Sequence, residues 1–333
     1  MAATCVDLPP NTPLAAPLAM TWGLATLQQQ VQALWPGLQL EVLAEAGSTN
    51  TLLIERARQG DASPCVLVAE QQTQGRGRQG KVWQSVAGAS LTFSLSLPLA
   101  VADWSGLSLA VGLALAEALD PGQGIDLERH SGHAAAARAP RIGLKWPNDL
   151  LLVSDDGISR KLGGILIESL PVGAQRLAVI GIGLNIAPAA LQGLSLGYGC
   201  LQQLQPDMTA PATLARVLLP LLTALRAFEH NGFAPLRARY GARDALLGLA
   251  VTTTLPGLPE GVAEGVADNG ALWVRAGSQR HAVSSGEVSV RAAGAAVLPA
   301  ALPGALPGTS PGTSPGTSPS TSPAALPQQV TTC

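Results

Sequence analysis

The chain has 333 residues, of which 47% are hydrophobic and 13% are charged, and its formal net charge at pH 7 is −2. This composition supplies enough apolar material for one sizeable core and a smaller second one. The nearly neutral charge argues against a protein that binds nucleic acid mainly by electrostatic attraction, because such proteins carry a basic surplus or stripe.

The first forty residues form an N-terminal lead-in (1–40) that contains no lysine or arginine. They lack the charged start and long apolar stretch of a signal peptide, which favours a cytoplasmic enzyme. Glycine, proline or polar residues interrupt each apolar run of the chain, so we expect no segment that crosses a membrane. Four cysteines without CxxC spacing predict neither a zinc site nor a redox motif; they are Cys5, Cys65, Cys200 and Cys333.

Three small polar residues, Ser48, Thr49 and Asn50, precede an amphipathic helix that should end near Gly60. One interpretation is an N-cap, in which the Ser48 side chain accepts from a free helical N–H. The alternative is that the three side chains offer donors and acceptors to a neutral polar ligand.

A strand is predicted at 66–70, and the sequence GRGRQG (75–80) follows it. The pattern matches a dinucleotide-binding fingerprint, but that fingerprint must open a helix, and the following KVWQSVAGAS is typical of strand or loop. Arg76, Arg78 and Lys81 alternate with glycines, an arrangement that suits a loop folding over an anionic ligand. The alternative is a solvated basic hairpin.

The remaining elements predict an α+β or α/β domain with a mixed sheet. Strands are expected at 91–97, 142–146, 150–153, 161–169 and 177–186, and helices at 106–119, 211–230 and 232–247. The segment 121–140, with His130 and His133, predicts a loop insertion, although metal ligation by the histidines is an alternative.

Lysine occurs only at Lys81, Lys145 and Lys161, although the chain has 20 basic residues. This favours sites that require a compact ammonium group, unless the distribution is chance. In KWPND (145–149), Lys145 would meet phosphate and Trp146 would stack on a purine, or the segment is a strand end with an Asx turn. Lys161 begins a buried strand, where a lysine is costly unless an anion awaits it.

The motif GIGLN (181–185) leaves glycines where a ligand can approach the backbone closely, with Asn185 at the strand end. Tight packing between strands is the alternative.

After Gly248 the sequence changes to short strands, expected at 249–255, 261–267, 271–276, 280–284 and 287–291. Asp268-Asn269-Gly270 predicts a hairpin in which both central residues have positive φ. A small β-barrel ending near Arg291 is the simplest interpretation. The tail, 292–333, is rich in Pro, Gly, Ser and Thr and is predicted to be disordered.

These motifs together resemble the biotin–protein ligase family. The segments STN, AEQQTQGRGRQGKVW, GLKWPNDLLL, RKLGGILIE and GIGLN stand in the family's order, and the resemblance covers roughly residues 40–291. It implies a catalytic domain of the class II synthetase-like, mixed-sheet type (41–247) and an SH3-like domain (248–291). Some members of the family begin with a DNA-binding domain of about sixty residues, but here about forty residues without lysine or arginine precede the STN motif, so no operator binding is expected.

The resemblance implies a role for each matching position. Biotin would be bound by Ser48, Thr49, Asn50, Gln72, Arg76, Gly77, Arg78 and Lys161, and ATP by Lys145, Trp146, Asn148 and Asn185. Lys161, Arg76 and Arg78 would be the catalytic cations, because charge builds on phosphoryl oxygens as pyrophosphate leaves. Asp149 is a candidate general base, and no metal ligand is identified.

The implied activity is ATP-dependent formation of biotinyl-5′-AMP, followed by transfer of biotin to a lysine. ATP, biotin and Mg²⁺ would be required, and the acceptor would be the biotin carboxyl carrier protein of acetyl-CoA carboxylase. The alternatives are a lipoate or octanoate ligase of the same fold and a non-catalytic biotin- or nucleotide-binding regulator. Either a monomer or a homodimer is expected, without nucleic-acid or membrane partners.

Overall fold

A computed structural model describes residues 21–122, 140–154, 158–173, 175–191, 196–284 and 290–292. The predicted tail, most of the 121–140 insertion with both its histidines, Cys5 and Cys333 lie outside these residues.

The described chain folds into five helices and thirteen strands. The helices are α1 (Leu24–Leu34), α2 (Thr49–Arg58), α3 (Leu107–Leu119), α4 (Ala210–Asn231) and α5 (Arg237–Gly241). The first eight strands are β1 (Gln39–Ala46), β2 (Cys65–Gln72), β3 (Ser90–Pro98), β4 (Arg141–Lys145), β5 (Asp149–Val153), β6 (Ser159–Val172), β7 (Gln175–Asn185) and β8 (Gly197–Tyr198). The last five are β9 (Ala250–Leu255), β10 (Leu258–Val266), β11 (Leu272–Ala276), β12 (Gln279–Val283) and β13 (Val290–Ala292).

The first eight strands form one mixed sheet in the order β1-β2-β3-β7-β6-β5-β4, with β8 beside β6. The β1–β2 and β6–β8 pairs are parallel and the others are antiparallel, which confirms the predicted mixed sheet. The main hydrophobic core combines one face of this sheet with α1, α3 and α4, whereas α2 covers a smaller apolar cluster on the other face.

Strand β3 has two faces of different chemistry, and both are buried. Its Leu and Phe residues point into the main core, while the alternate positions Ser90, Thr92, Ser94 and Ser96 are each at most 2% exposed. Because successive side chains of a strand point to opposite faces, the four hydroxyls lie on the α2 side of the sheet. A row of buried hydroxyl groups therefore lies on the face of the sheet that α2 covers.

Helix α4 has 22 residues and is long and apolar enough to cross a membrane by length and composition. Arg216, Pro220 and Arg226 interrupt this apolar run, as predicted, but they do not end the helix, so its length reaches that of a membrane span. Nine of its residues are buried, however, and eight of them, all but Thr213, belong to the main core. The high hydropathy of α4 therefore belongs to the apolar face of an amphipathic helix that packs in the core.

The predicted helix at 232–247 is also wrong beyond its first half. A short 3₁₀ turn and α5 occupy part of it, and α5 ends at Gly241. The next residues pair with β4 instead: Leu144 N–H donates to Arg243 O (2.7 Å) and Ala245 N–H to Leu144 O (2.8 Å). These backbone bonds replace those that a continued helix would make.

The C-terminal strands form a separate antiparallel sheet in the order β12-β11-β10-β9-β13. The predicted turn at Asp268-Asn269-Gly270 joins β10 to β11, but only Gly270 has a positive φ (78°). Asn269 instead stabilises the turn through its side chain, which accepts from Ala271 N–H (3.1 Å). The part of the last predicted strand before Val290 lies outside the described residues.

Candidate active site

The tripeptide Ser48-Thr49-Asn50 starts α2, and all three side chains are at most 5% exposed. The Ser48 hydroxyl accepts from Thr51 N–H (3.4 Å), which confirms the predicted N-cap. Burial of three polar side chains at one helix start requires further partners, since an unpaired buried polar group is costly.

Those partners come from two neighbouring strands. Gln72 at the end of β2 accepts from Thr49 N–H (2.7 Å), and the Thr49 hydroxyl lies 2.6 Å from the hydroxyl of Ser94. Ser94 in turn donates to Asn50 Oδ1 (2.6 Å). The structure thus brings together the predicted residues Thr49, Asn50 and Gln72, and it adds Ser94, which the sequence interpretation missed.

The network continues to the glycine-rich loop through Glu168 of β6. Its Oε2 accepts from Asn50 Nδ2 (2.9 Å), and its Oε1 accepts from Arg76 Nη2 (2.9 Å). Glu168 was not among the predicted site residues. It ends the motif RKLGGILIE, in which only the lysine and the glycines were considered as site residues. The continuous chain of contacts joins Gln72 to Arg76.

The GRGRQG segment is a tight hairpin-like loop. Gly77 N–H donates to Lys81 O (2.7 Å) and Trp83 N–H donates to Gly75 O (2.8 Å). A 3₁₀ turn spans Arg78–Gly80, and residues 81–106, all described, contain no helix, so the dinucleotide interpretation is excluded.

Two of the predicted site lysines, Lys161 and Lys145, meet at one carboxylate, whereas Arg76 pairs with Glu168. Lys161 Nζ lies 2.7 Å from Asp149 Oδ1, and Lys145 Nζ lies 3.5 Å from Asp149 Oδ2. Burial lowers the pKa of Lys145, although Asp149 opposes this effect. Burial also lowers the pKa of Arg78, and Asp149 again acts in the opposite direction. The carboxylate therefore lies within electrostatic reach of a lysine pair and of the glycine-rich loop.

Asp149 itself is a poor candidate for the general base. Burial alone would raise its pKa, but Lys161 and Lys145 outweigh this effect and hold the pKa below its usual value. A carboxylate that is stabilised in its charged form accepts protons weakly. The geometry favours Asp149 as a fixed anion that positions the two lysines.

Trp83 is a third site residue that the sequence interpretation missed, after Ser94 and Glu168. Its ring lies against Gly183, where an added Cβ would be 2.4 Å from the indole, and Lys161 Nζ is 6.0 Å from the ring centroid. The indole nitrogen is buried without a hydrogen-bond partner among the described residues. A buried N–H of this kind is costly unless a ligand or water accepts from it.

The glycines of GIGLN accommodate the protein's own side chains. An added Cβ at Gly181 would be 2.3 Å from Asn50 Oδ1, and Gly183 makes room for Trp83. The close approach predicted for these glycines is therefore present, but the approaching groups are an amide and an indole.

Three residues predicted to bind ATP are engaged with the protein backbone. Trp146 is fully buried and its indole N–H donates to Gly270 O (3.0 Å), so no ring face is open for a purine to stack on. Asn185 Nδ2 donates to Lys161 O (2.9 Å) and Gly199 O (3.0 Å). Asn148 Nδ2 donates to Ile165 O (3.0 Å). Among these side chains, Asn185 holds the backbone of Lys161 in place, and the stacking interpretation of Trp146 is corrected.

Comparison with known proteins identifies the family. The model described as "Biotin/lipoate A/B protein ligase family" matches residues 43–185, and "Biotin protein ligase C terminal domain" matches residues 247–291. The biotin–[acetyl-CoA-carboxylase] ligase of Mycobacterium tuberculosis is 35% identical over 263 residues, which cover 75% of this chain and 88% of that protein. This chain belongs to the biotin–protein ligase family.

Further relatives agree with this assignment. The biotin–[acetyl-CoA-carboxylase] ligase of Paracoccus denitrificans is 34% identical, with 74% of this chain and 98% of that protein covered. The bifunctional ligase/repressor BirA of Escherichia coli is 32% identical, with 80% and 78% covered. Among solved structures, a biotin protein ligase from Aquifex aeolicus in complex with biotin and ATP has a TM-score of 0.60 at 26% identity, covering 77% of this chain and 99% of that one.

Proposed function

We propose that this ligase activates biotin with ATP and transfers it to a lysine of a biotin carboxyl carrier protein. The single observation that carries the proposal is the convergence of Lys161 and Lys145 on Asp149. A protein that only binds biotin has no need for two cations at one point. A reaction that brings a carboxylate and a phosphate together does need them, because the two anions repel each other.

The chemistry has two steps. A biotin carboxylate oxygen attacks the α-phosphorus of ATP, forming the acyl–phosphate bond of biotinyl-5′-AMP as pyrophosphate leaves. The acceptor amine then attacks the acyl carbon, forming the amide, losing a proton and releasing AMP. Positive charge fixed beside the phosphoryl oxygens lowers the barrier to the first step.

We assign the roles of individual residues as follows. Ser48, Thr49, Asn50 and Gln72 would bind the neutral ureido ring of biotin. The hydrogen-bond network that joins Thr49, Asn50 and Gln72 through Ser94 supports this role, and Ser48 caps the same helix. Lys161, Arg76, Gly77 and Arg78 would hold the carboxylate and the phosphate, and Lys145 would meet the ATP phosphates. Asn148 and Asn185 would shape the nucleotide pocket, and Trp146 would support it from beneath.

Mg²⁺ would enter with the nucleotide. The described residues contain no cluster of three or more His, Cys, Asp or Glu side chains, so they do not fit a resident metal site. Mg²⁺ commonly binds through substrate phosphates and water with few protein ligands. No step above depends on its position.

The acceptor is proposed from the names of relatives, two of which are biotin–[acetyl-CoA-carboxylase] ligases. A cytoplasmic location is proposed with it, supported by Cys65 and Cys200, which are buried free thiols. Three further points stay predictions. These are the domain limits of 41–247 and 248–291, a monomeric or homodimeric state, and the lack of nucleic-acid and membrane partners.

Transfer is tested with a purified apo carrier domain, biotin and ATP, using mass spectrometry to detect one added biotinyl group. A carrier whose acceptor lysine is replaced by arginine is the matched control. We expect modification of the first carrier alone. Modification with lipoate or octanoate in place of biotin would instead support the alternative ligase activity.

A further inference from the structure

Glu168 connects the two parts of the proposed biotin site. It projects from β6, its side chain is 26% exposed, and each carboxylate oxygen accepts from a different predicted site residue. Asn50 belongs to the buried tripeptide, and Arg76 belongs to the glycine-rich loop, where its side chain is 48% exposed.

We infer that Glu168 is a positioning residue for biotin binding, which sets the orientation of the Asn50 amide and holds Arg76 at the site. The inference rests on the proposed function, since it concerns the same site. Glu168 itself is not assigned a contact with biotin.

The Asn50 amide is oriented by partners on both sides. Its Nδ2 donates to Glu168 Oε2 (2.9 Å) and to Leu166 O (3.3 Å), while its Oδ1 accepts from Ser94 (2.6 Å). An amide has one donor end and one acceptor end, so two acceptors near Nδ2 fix which end points to Ser94. Ser94 contacts Thr49, and the amide orientation is thereby transmitted to the start of α2.

Arg76 is held by Glu168 and by Thr51, whose hydroxyl accepts from Arg76 Nη1 (3.3 Å). A half-exposed arginine on a loop has many rotamers, and selecting one of them costs conformational entropy. Holding the side chain before the ligand arrives removes part of that cost from binding. The benefit should therefore be seen in biotin affinity more than in the rate of the chemical step.

The negative charge and both oxygens of Glu168 are needed for this role. A glutamine offers a single acceptor oxygen, so Glu168→Gln can satisfy Asn50 or Arg76 but not both. Glu168→Asp keeps two acceptors and the charge on a shorter side chain, and it should recover part of the function.

The test measures kcat and KM for biotin by pyrophosphate release, together with thermal melts. The proteins are wild type, Glu168→Gln, Glu168→Asp, Arg76→Gln and the Glu168→Gln/Arg76→Gln double variant. Glu117→Gln is the matched control, because it removes another carboxylate paired with an arginine, Arg239, outside the site. For Glu168→Gln we expect KM for biotin to rise about tenfold, equivalent to about 1.4 kcal/mol, with kcat within about twofold of wild type.

The double variant separates positioning from general stability. Because Glu168 acts partly through Arg76, the rise in biotin KM of the double variant should be smaller than the combined rises of the two single variants. An unchanged biotin KM in Glu168→Gln, or a rise that adds fully to that of Arg76→Gln, would overturn this inference while wild type stays active. A wild-type protein without biotin-dependent activity would overturn the proposed function and the inference with it.

Discussion

Asp149 is the only carboxylate that the ion pairs of the described residues place beside Lys145 and Lys161. The side chains of Lys145 and Asp149 are 14% and 15% exposed, so water screens their charges weakly. With two lysines against one carboxylate, this group of side chains keeps a surplus of positive charge. An incoming carboxylate or phosphate would neutralise this surplus, which is the electrostatic condition that acyl adenylation requires.

Lys161→Ala should impair adenylation much more than it destabilises the fold. We expect kcat to fall by about 10²–10³-fold, as when one preorganised charge-stabilising group is removed. Asp149 keeps Lys145 as a partner, so the melting temperature should change little. Pyrophosphate release and thermal melts are compared with those of Arg58→Ala, an exposed cation on α2. A large loss of stability with normal turnover per folded molecule would contradict the role of Lys161.

At the scale of single elements, hydrophobic alternation predicts that β3 is a strand but does not predict what covers its polar face. The alternation of 91–97 correctly predicts β3, but it does not tell whether the polar face meets water or another element. In β3 that face is buried beneath α2 and contributes Ser94 to the site. The missing information is long-range, because it depends on which helix covers the sheet.

Gly181 of β7 should be required for the site to form, because it faces the Asn50 amide at the start of α2. An added Cβ would be 2.3 Å from Asn50 Oδ1, so Gly181→Ala must displace the amide from Ser94 and Glu168. We expect a raised KM for biotin and a loss of stability of about 1–3 kcal/mol from unpaired buried polar groups. Kinetics and denaturant unfolding provide the measurement.

Gly112→Ala in α3 is the control for Gly181→Ala, since its added Cβ would make contacts of 3.4 and 3.5 Å only. Replacing a helical glycine by alanine should stabilise the protein by up to about 1 kcal/mol. Equal behaviour of the two variants would show that Asn50 does not depend on the space at Gly181.

The turn after α5 should give the protein a pH-dependent stability. Burial raises the pKa of Asp244 to about 6, and its Oδ2 has no hydrogen-bond partner among the described residues. Since the pKa is raised in the folded state, stability is fully present below the unfolded value of 3.8 and is lost as pH rises through about 6. At neutral pH the cost is about 3 kcal/mol.

Asp244→Asn should remove this dependence. Its melting temperature relative to wild type should rise as pH increases from about 4 to 7. Thermal melts across this range are compared with those of Asp207→Asn, where the carboxylate is exposed. A constant difference between Asp244→Asn and wild type at all pH values would contradict a buried, titrating Asp244.

At the scale of the whole molecule, the KWPND motif joins the two sheets. Trp146 donates to Gly270 O in the β10–β11 turn, and an added Cβ at Gly270 would be 2.7 Å from Gly106 Cα before α3. Arg237 and Asp268 add an exposed ion pair (3.1 Å). The sequence predicts both sheets and the turn separately, but their contact depends on tertiary packing that no local pattern encodes.

Trp146→Phe should weaken the contact between the two sheets, because it removes the hydrogen bond to Gly270 O. The change leaves Gly270 O buried without its donor and leaves space beside the ring, at a cost of about 2–4 kcal/mol. Because Lys145 and Asn148 flank Trp146, KM for ATP should rise more than KM for biotin. The control is Trp273→Phe on β11, whose half-buried ring packs against Arg280 (4.3 Å), and which should cost less than about 1 kcal/mol. A Trp146→Phe protein as stable as wild type would contradict the role of this contact.

The central claim is that the cations around Asp149 serve biotin adenylation. The most direct measurement is pyrophosphate release from ATP with biotin, octanoate or lipoate as the only added acid. We predict release that depends on biotin and stays at background with the other two acids. Release only with octanoate or lipoate, or no release with any acid, would contradict the account.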